Sequence, residues 1–212
     1  MKSLLIWGAG DQGMVTLDCA LSMNQYGRID FLEIKERGSR LMEGCRLYRE
    51  EDIEPECFFH SYDEVIVATG DNDIREAKCA VLESMGVSLA SVIHPLAFIS
   101  PSANLEKGCM VFAYAVIHTH ASVGKSCIIN TGAVVEHDCM VGDFVNVCPN
   151  AAVAGHCRIG RKSFIGVGAS VKDEVAIGEE AIIGAGAAVV REIPDRATAV
   201  GVPARVIRRR EY

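Results

Sequence analysis

The chain has 212 residues, enough for one large domain or two small ones with a hydrophobic core. Its formal net charge of −7 argues against nucleic-acid and acidic-membrane partners, and the basic run at residues 208–210 is expected to be a solvated tail. The nine cysteines include no CxxC pair, and there is neither an apolar leader nor a segment long enough to span a bilayer. We therefore expect a cytoplasmic protein with reduced thiols.

Up to about residue 94, short apolar strands alternate with helices. Strands are predicted at residues 4–7, 29–34 and 64–68, and helices at residues 14–23 and 73–85. Strands that alternate with helices indicate a parallel sheet with helical crossovers. About 90 residues are too few for a complete dinucleotide-binding fold, so we predict a small Rossmann-like domain of half that size.

After Pro95 an internal repeat of six residues replaces this alternation. A period of six fits neither a helix nor a hairpin, and it is the signature of a parallel β-helix with three repeats in each triangular coil. Successive coils would stack at the strand spacing of about 4.8 Å, with aliphatic side chains filling the interior. The aliphatic position is occupied without exception by Ile99, Leu105, Val111, Ile117, Val123, Ile129, Val135, Val141, Val147, Val153, Ile159, Ile165, Val171, Ile177, Ile183 and Val189.

A second position of the repeat, two residues before each aliphatic one, carries small side chains and is expected to let the chain turn at a corner. A free cysteine behaves as a compact and mostly buried hydrophobe, so cysteines at this position are interpreted as packing residues. They are Cys109, Cys127, Cys139 and Cys157. The stretch from Glu136 to Cys139 contains four potential metal ligands, and this interpretation removes Cys139 from them. Glu136 is expected to face solvent.

Five segments spread over nearly the whole chain resemble the bacterial sugar acetyltransferases of the PglD/NeuD type. They are WGAGDQG, ATGDNDIR, VIHPLAFISPSA, IINTGAVVEHDCMVGDF and GAGAAVVREIPDRATAVGVPARVI. The resemblance implies an α/β plus β fold, with a small Rossmann-like, nucleotide-sugar-binding domain at residues 1–94. A left-handed parallel β-helix of hexapeptide repeats and a C-terminal tail would follow at residues 95–212.

The same resemblance implies the activity. It indicates a homotrimer that uses acetyl-CoA as co-substrate and N-acetylates a UDP-linked 4-amino-sugar in surface-glycan biosynthesis. O-acetylation of sialic acid or a related sugar is the alternative within the family.

His137 is the expected catalytic base. In the repeat Val135 points inward and Cys139 takes a corner, which leaves His137 on an outward part of the coil. Acetyl transfer to an amine needs a base, and an imidazole with a reference pKa of about 6.5 suits this role near neutral pH. By resemblance, Asp138 is its acidic partner and Asn130 lies near the substrate amine. A structural hydrogen bond between coils is the alternative role for Asn130.

The coenzyme end of the site is assigned by resemblance. Gly155 would offer a backbone N–H to the thioester oxygen, which becomes negative during attack. Val167 and Ala185 would line the acetyl-CoA arm, and an ordinary turn position is the alternative for all three. Asn146 stands where relatives often carry a histidine near the coenzyme, and its amide can still form a hydrogen bond.

A glycine-rich loop follows the first predicted strand. With Glu33 twenty residues after Gly13, the loop is similar to an NAD fingerprint, in which a pyrophosphate approaches a helix N-terminus. The shortness of the domain argues against NAD, and the resemblance instead implies a UDP-sugar. Ile34 replaces the second acid of the family, and Asp11-Gln12 replaces its Gly-His. The expected substrate-binding residues are Gly10, Asp11, Gln12, Glu33, Ile34, Gly70 and Asp73.

Two other classes of protein remain as alternatives. His118, His137 and His156 are spaced nineteen residues apart, about one coil each, which is reminiscent of the zinc-binding β-helices of the γ-type carbonic anhydrases. Because of the one-residue slip per coil we expect the three side chains to point differently, and the HxxxxH spacing of that family is absent. We therefore predict no metal site. A non-catalytic scaffold is the other alternative, which the intact Glu-His-Asp sequence disfavours.

Overall fold

The structure is a computed structural model that describes residues 1–34 and 44–210. The chain divides into two compact units, Met1–Pro95 and Leu96–Tyr212. This division falls where the alternation of strands and helices gives way to the six-residue repeat. Each unit buries its own set of apolar side chains.

The first unit alternates strands and helices: β1 (Lys2–Trp7), α1 (Asp11–Ser22), β2 (Tyr26–Glu33), β3 (Leu47–Arg49), α2 (Pro55–Phe59), β4 (Glu64–Val67), α3 (Asn72–Ser84) and β5 (Val92–Ile93). The first four strands form a parallel sheet in the order β3-β2-β1-β4. Leu4, Leu5 and Ile6 of the inner strand β1 have no solvent exposure, as expected for a parallel strand covered on both faces.

The first unit contains the strands and helices that the sequence predicts, and four short elements that it does not predict: β3, α2, β5 and a 3-10 helix at Glu50–Asp52. α1 begins at Asp11 rather than at residue 14, because Gly10 is its N-cap directly after the glycine-rich loop. β3 is a three-residue edge strand, and α2 is too short to show a helical period. α2 nonetheless completes the core, since Phe59 packs on Trp7 with ring centroids 5.0 Å apart.

The second unit is a parallel β-helix with one two-residue strand in each repeat. The strands are β6 (Phe98–Ile99), β7 (Asn104–Leu105), β8 (Met110–Val111), β9 (Val116–Ile117), β10 (Ser122–Val123), β11 (Ile128–Ile129), β12 (Val134–Val135), β13 (Met140–Val141), β14 (Asn146–Val147), β15 (Ala152–Val153), β16 (Arg158–Ile159), β17 (Phe164–Ile165), β18 (Ser170–Val171), β19 (Ala176–Ile177), β20 (Ile182–Ile183) and β21 (Ala188–Val189). The second residue of each strand is the predicted inward position, and these side chains are buried from Val111 to Val189. The predicted repeat and its register are confirmed.

The strands stack into three parallel faces. The first face contains β6, β9, β12, β15, β18 and β21, the second contains β8, β11, β14, β17 and β20, and the third contains β7, β10, β13, β16 and β19. Coils stack in register, so that Val135 lies opposite Val153 in the next coil. Residues eighteen positions apart therefore lie one above the other.

Each turn between Gly108 and Gly186 bends at a residue with a positive φ, three positions after the inward residue. We call this the left-handed turn position. The sequence analysis attributes the bend to the small residue, but the structure assigns it to the residue before, while the small side chain is buried inside the corner. Asparagine, aspartate and histidine tolerate this conformation better than most residues. The non-glycine residues here have φ of 52–61° and are Tyr114, His120, Ser126, Asp138, Phe144, Asn150, His156, Lys162, Glu174 and Glu180.

The cysteines at the small position are buried, as the sequence predicts, and they also form hydrogen bonds between coils. Each thiol donates to the backbone carbonyl fifteen residues later, with sulfur–oxygen distances of 3.0–3.2 Å. Ser163 occupies the same position, and its hydroxyl donates to the Gly178 carbonyl at 2.6 Å. The thiols therefore help to join successive coils. The four cysteines are Cys109, Cys127, Cys139 and Cys157.

After the last coil the chain forms two longer antiparallel strands, β22 (Ala197–Val200) and β23 (Arg205–Arg209). The basic run at residues 208–210 is exposed, as predicted for a solvated segment, but Arg208 and Arg209 lie in β23 and not in a tail. Thr198 lies opposite Arg208, and the N–H of Arg210 donates to the Arg196 carbonyl. Val206 and Ile207 favour a strand here, and the prediction of a tail from the basic residues does not take them into account. Among the described helices, none has the length and apolar character needed to cross a membrane.

Candidate functional site

His137 and Asp138 form a hydrogen-bonded pair in the turn after β12. The Nδ1 atom of His137 lies 2.9 Å from the Oδ2 atom of Asp138. The two side chains are 49% and 42% exposed, so a small molecule can reach them from the surface of the coil. Glu136 is half-buried and accepts the backbone N–H of His137 at 3.3 Å, whereas the sequence predicts that it faces solvent.

The pair determines which nitrogen of His137 can accept a proton. The hydrogen bond from His137 lowers the pKa of Asp138 below its ordinary value, with smaller contributions from the imidazoles of His156 and His120. An ionised carboxylate only accepts hydrogen bonds, so the Nδ1 atom that faces it carries the proton. The lone pair of the neutral ring is then on Nε2, where a base needs it.

Gly155, one coil further along, lies directly against the His137 ring. A β-carbon at this position would be 2.6 Å from Cε1 and 2.7 Å from Nε2 of His137, which is too close for any side chain. At the same turn position elsewhere, the N–H groups of Lys125 and Thr131 donate to side-chain oxygens. In the part of the chain that the structure describes, no group accepts the Gly155 N–H. Gly155 thus leaves room for the ring and an unused donor beside it.

His156 also belongs to this cluster. Its ring packs edge-to-face on His137 with centroids 5.1 Å apart, and its Nε2 lies 4.0 Å from Oδ2 of Asp138. The two rings point in different directions, at an interplanar angle of 86°, but the nineteen-residue spacing does not keep them apart. His118 does lie elsewhere, with its ring centroid 6.0 Å from that of Phe98.

The stacking of the coils explains why His156 is near the pair. Asp138 and His156 are eighteen residues apart, so they occupy the left-handed turn position in successive coils. His137 immediately precedes Asp138 in its turn. Counting in steps of eighteen from Asp138 is the signal in the sequence that identifies His156.

The two asparagines assigned to the site belong to the second face of the β-helix. Asn130 follows β11, and its side-chain oxygen accepts the backbone N–H of Thr131 at 2.9 Å. Asn146 lies in β14, is only 5% exposed, and its Oδ1 is 3.7 Å from the Cys148 thiol. Asn130 therefore stabilises its own turn, rather than bonding between coils as the structural alternative proposed.

The two residues assigned to the acetyl-CoA arm also follow strands of the second face. Val167 and Ala185 are eighteen residues apart in the turns after β17 and β20, and both are exposed. His137, Asp138 and Gly155 instead follow strands of the first face. One chain thus presents the predicted acetyl-transfer residues in two groups, after two different faces.

The first unit contains a pocket of about 430 Å³ at the carboxyl ends of β1, β2 and β4. It is lined by most of the predicted substrate residues, with the exception of Asp73, whose backbone N–H donates to the Asp71 side chain in the first turn of α3. Thr69, Ile74 and Lys78 also line the pocket, and the sequence analysis does not predict them. The predicted residues in the lining are Gly10, Asp11, Gln12, Glu33, Ile34 and Gly70.

Glycines and Glu33 hold the loop at the floor of this pocket. Gly8 has φ +129° and approaches the Ala68 carbonyl so closely that a β-carbon would lie 2.5 Å from its oxygen. Gly13 lies against Gly8, where a β-carbon would be 1.9 Å from the Gly8 oxygen. The carboxylate of Glu33 accepts the Ala9 N–H at 3.0 Å, so this acid fixes the loop whatever it binds.

Lys78 of α3 lines the pocket and contacts Glu50 and Trp7. The Lys78 ammonium lies 3.0 Å from Glu50 and 4.6 Å from the centroid of the Trp7 ring. Its side chain is only 13% exposed, so it is held in place by a carboxylate and an aromatic face.

Comparisons with known proteins show the family and the fold of the chain. Residues 3–82 match the family model of the PglD N-terminal domain. The acetyltransferase domain of PglB from Neisseria gonorrhoeae, solved in complex with acetyl coenzyme A, is 34% identical with a TM-score of 0.89, over 97% of this chain and 99% of that chain. A mutant of perosamine N-acetyltransferase from Caulobacter crescentus, in complex with CoA and GDP-perosamine, is 33% identical with a TM-score of 0.89, over 97% of each chain.

WeeI from Acinetobacter baumannii shares the fold, with a TM-score of 0.87 at 24% identity over 98% of this chain and all of that chain. None of the curated proteins compared matches the chain. Fold and site together define a left-handed β-helix acyltransferase of hexapeptide repeats, joined to a Rossmann-like domain. The chain belongs to the PglD/NeuD-type family of sugar acetyltransferases. The fold class and the resemblance predicted from the sequence are both confirmed.

Proposed function

We propose that the protein transfers the acetyl group of acetyl-CoA to the amino group of a nucleotide-linked amino sugar. The observation that carries this proposal is its similarity, over nearly the whole chain, to two sugar acetyltransferase structures. One of these structures contains acetyl-CoA, and the other contains CoA and a nucleotide-linked amino sugar. The hydrogen-bonded His137–Asp138 pair supports it with a suitable acid–base group.

His137 is the proposed base. The sugar nitrogen attacks the thioester carbonyl, a C–N bond forms, and the C–S bond breaks with departure of the coenzyme thiolate. The attacking nitrogen must lose a proton, which Nε2 of His137 accepts and which neutralises the leaving thiolate. Asp138 stabilises the imidazolium intermediate, because its ionised carboxylate accepts a hydrogen bond from Nδ1–H of His137. The Nδ1 and Oδ2 atoms are 2.9 Å apart.

The other residues of the proposed acetyl-transfer site are assigned to the coenzyme or to the substrate amine. The Gly155 N–H is the proposed donor to the thioester oxygen, supported by its unused N–H and its contact with the His137 ring. Asn130 is proposed near the substrate amine, and Asn146, Val167 and Ala185 along the coenzyme. The exposure of Val167 and Ala185 agrees with a surface that a long coenzyme arm can reach.

A homotrimer in the cytoplasm is proposed as the active form. His137 and the residues assigned to acetyl-CoA follow two different faces of one β-helix. A neighbouring copy would bring the second group of residues up to the first, which gives a physical reason for assembly.

Residues 1–94 are proposed to bind the nucleotide sugar in the 430 Å³ pocket. Gly10 is the N-cap of α1 and lines this pocket, so a phosphate bound here would lie at the positive end of the helix dipole. Glu33, the glycine-rich loop and Gly70 all line this pocket. Asp73 is assigned to this site by resemblance alone, because it does not line the pocket.

A CoA-release assay against a panel of acceptors tests the function. The panel contains UDP- and GDP-linked 4-amino-sugars, each beside an analogue with a hydroxyl in place of the amine, together with CMP-sialic acid and free sialic acid. We expect release of CoA with one amino-sugar and none with its hydroxyl analogue. Turnover of the sialic acids or of the hydroxyl analogues alone would overturn N-acetylation in favour of O-acetylation. If none of the acceptors in the panel leads to release of CoA, the proposed substrate class is overturned.

A further inference from the structure

We infer that His137, Asp138 and His156 form a binding site for a divalent transition metal ion, and that its occupation switches off the base. One ligand atom from each of the three residues lies within 4.8 Å of the other two. The sequence predicts no metal site, because the one-residue slip per coil aims the histidines differently and the HxxxxH spacing is absent. The stacking of Asp138 and His156 in successive coils changes that expectation.

The spacing of the ligand atoms suits a small metal ion. Around a tetrahedral zinc ion with bonds of about 2.0–2.1 Å, ligand atoms lie about 3.3 Å apart. Here Oδ2 of Asp138 is 2.9 Å from a nitrogen of His137 and 4.0 Å from a nitrogen of His156. These two distances differ from that value by less than 1 Å, and all three ligand atoms lie within 4.8 Å of one another, so small movements of the exposed side chains would assemble the site.

The backbone holds the three residues in position. Asp138 and His156 both have φ of 58°, and both N–H groups donate across coils, to Thr119 and to His137, at 3.0 Å. Gly155 leaves the space in which the His137 ring lies. The site is thus formed on the rigid ladder of the β-helix, which lowers the entropy lost when a metal orders its ligands.

The donor set and the local charge select the class of metal. Two imidazoles and one carboxylate suit zinc, cobalt, nickel or copper better than magnesium or calcium, which prefer oxygen ligands alone. Glu136 and Glu174 lie in the same turn and in the next coil beyond His156, and their charge favours a cation here. Three protein ligands leave one position for water.

Metal binding and proton transfer at His137 are mutually exclusive. Coordination uses a ring lone pair of His137 and replaces its hydrogen bond with Asp138, which the base needs to remain oriented. A bound metal therefore inhibits acetyl transfer instead of assisting it. The inference goes beyond the proposed function, since metal binding can be measured without any sugar substrate.

Cobalt binding provides the direct test. Titration of the metal-free protein with Co²⁺ is expected to give visible d–d bands that saturate at one ion per chain, without the near-ultraviolet band of thiolate ligation. His156→Asn should weaken Co²⁺ affinity at least about tenfold, since even outer partners of metal ligands contribute that much. Asparagine tolerates the left-handed conformation of this position, so the variant should fold.

His120→Asn is the matched control. His120 occupies the left-handed turn position one coil before Asp138, with φ of 55°, but it is not a member of the cluster. We expect its variant to bind Co²⁺ like the unaltered protein. Equal weakening in both variants, thiolate bands, or the absence of any d–d band in the unaltered protein would each overturn the inference.

Inhibition provides the second readout. Zn²⁺ should inhibit acetyl transfer by the unaltered protein, EDTA should restore it, and His156→Asn should raise the inhibitory concentration at least about tenfold relative to its own metal-free rate. The acetylated product must be measured by chromatography, because the thiol of released CoA also binds zinc. Unchanged zinc sensitivity in His156→Asn would contradict the link between this site and the base.

Discussion

At the residue scale, three groups around His137 each determine a different property of its ring. Asp138 accepts a hydrogen bond from Nδ1–H, with the nitrogen and Oδ2 2.9 Å apart, and so leaves the lone pair on Nε2. Gly155 provides the space in which the ring lies. His156 packs edge-to-face at 5.1 Å and limits its tilt. The resemblance predicts both Asp138 and Gly155, but the sequence gives no direct sign of the contact between the two rings.

We expect His137→Ala to lower kcat by roughly 10²-fold or more, which is the usual contribution of a general base. Acetyl-CoA affinity should change little, because the base acts on the proton of the acceptor. Steady-state kinetics and calorimetric titration with acetyl-CoA measure the two effects. Glu136→Gln is the control, since glutamine keeps an oxygen for the His137 N–H and should retain most of the activity. Near-normal turnover of His137→Ala would exclude it as the base.

Gly155→Ala should impair the same step without unfolding the protein. The added β-carbon would lie 2.6 Å from Cε1 of His137, so the ring must move, while the backbone of Gly155 is not in the left-handed region. A displacement of about 1 Å can reduce turnover by about 10²-fold. In a double-mutant cycle, Gly155→Ala should have little further effect once His137 is alanine. Additive losses in kcat would show that Gly155 acts independently of the ring.

At the element scale, the six-residue repeat performs two tasks at each corner. The aliphatic residue fills the coil, and the residue three positions later bends the chain in a left-handed conformation. For residues such as Tyr114 or Glu174 that conformation costs on the order of 1–2 kcal/mol. The ladder of backbone hydrogen bonds between coils offsets this cost. The sequence predicts the first task from its apolar period, whereas the second has no uniform residue type and emerges only from the backbone.

The buried thiols allow a test of the contacts between coils. Cys127 is fully buried and donates to the Gly142 carbonyl at 3.1 Å. We expect Cys127→Ala to lower the free energy of unfolding by about 1–3 kcal/mol, since it leaves a buried acceptor without its donor. Cys127→Ser should lose less, because Ser163 makes the equivalent bond at 2.6 Å. Denaturant unfolding at one fixed protein concentration measures both changes. Equal stability of the two variants would mean that the thiol contributes only volume.

At the scale of the whole molecule, the chain joins two units with separate chemistry. The first has a pocket of about 430 Å³ lined by the loop before α1, and the second has the acid–base cluster. Asn130, Asn146, Val167 and Ala185 belong to the second face of the β-helix, while His137, Asp138 and Gly155 follow strands of the first. A single copy therefore presents only part of the proposed acetyl-transfer site at each corner.

We therefore expect the protein to be a trimer in solution. Light scattering should give three times the protomer mass of 22.8 kDa. The physical reason is that a neighbouring copy would supply the coenzyme residues that one corner lacks. A mass of one protomer with full acetyltransferase activity would contradict this arrangement, because each site would then have to form within one chain.

The sequence by itself determined the β-helix, the inward register and the change of fold near residue 95. These features depend on a hydrophobic period, which is a property of neighbouring residues along the chain. It also determined the His137–Asp138 pair, because the two residues are adjacent.

Only the tertiary structure decided which residues meet across coils. Three kinds of contact join residues fifteen to nineteen positions apart. They are the packing of His156 on His137, the position of Gly155 against the His137 ring, and the thiol hydrogen bonds between coils. Such contacts depend on how eighteen residues close one coil and on where its left-handed turns fall. Strand β23 likewise forms by pairing with β22. The charge of the segment alone predicts a solvated tail.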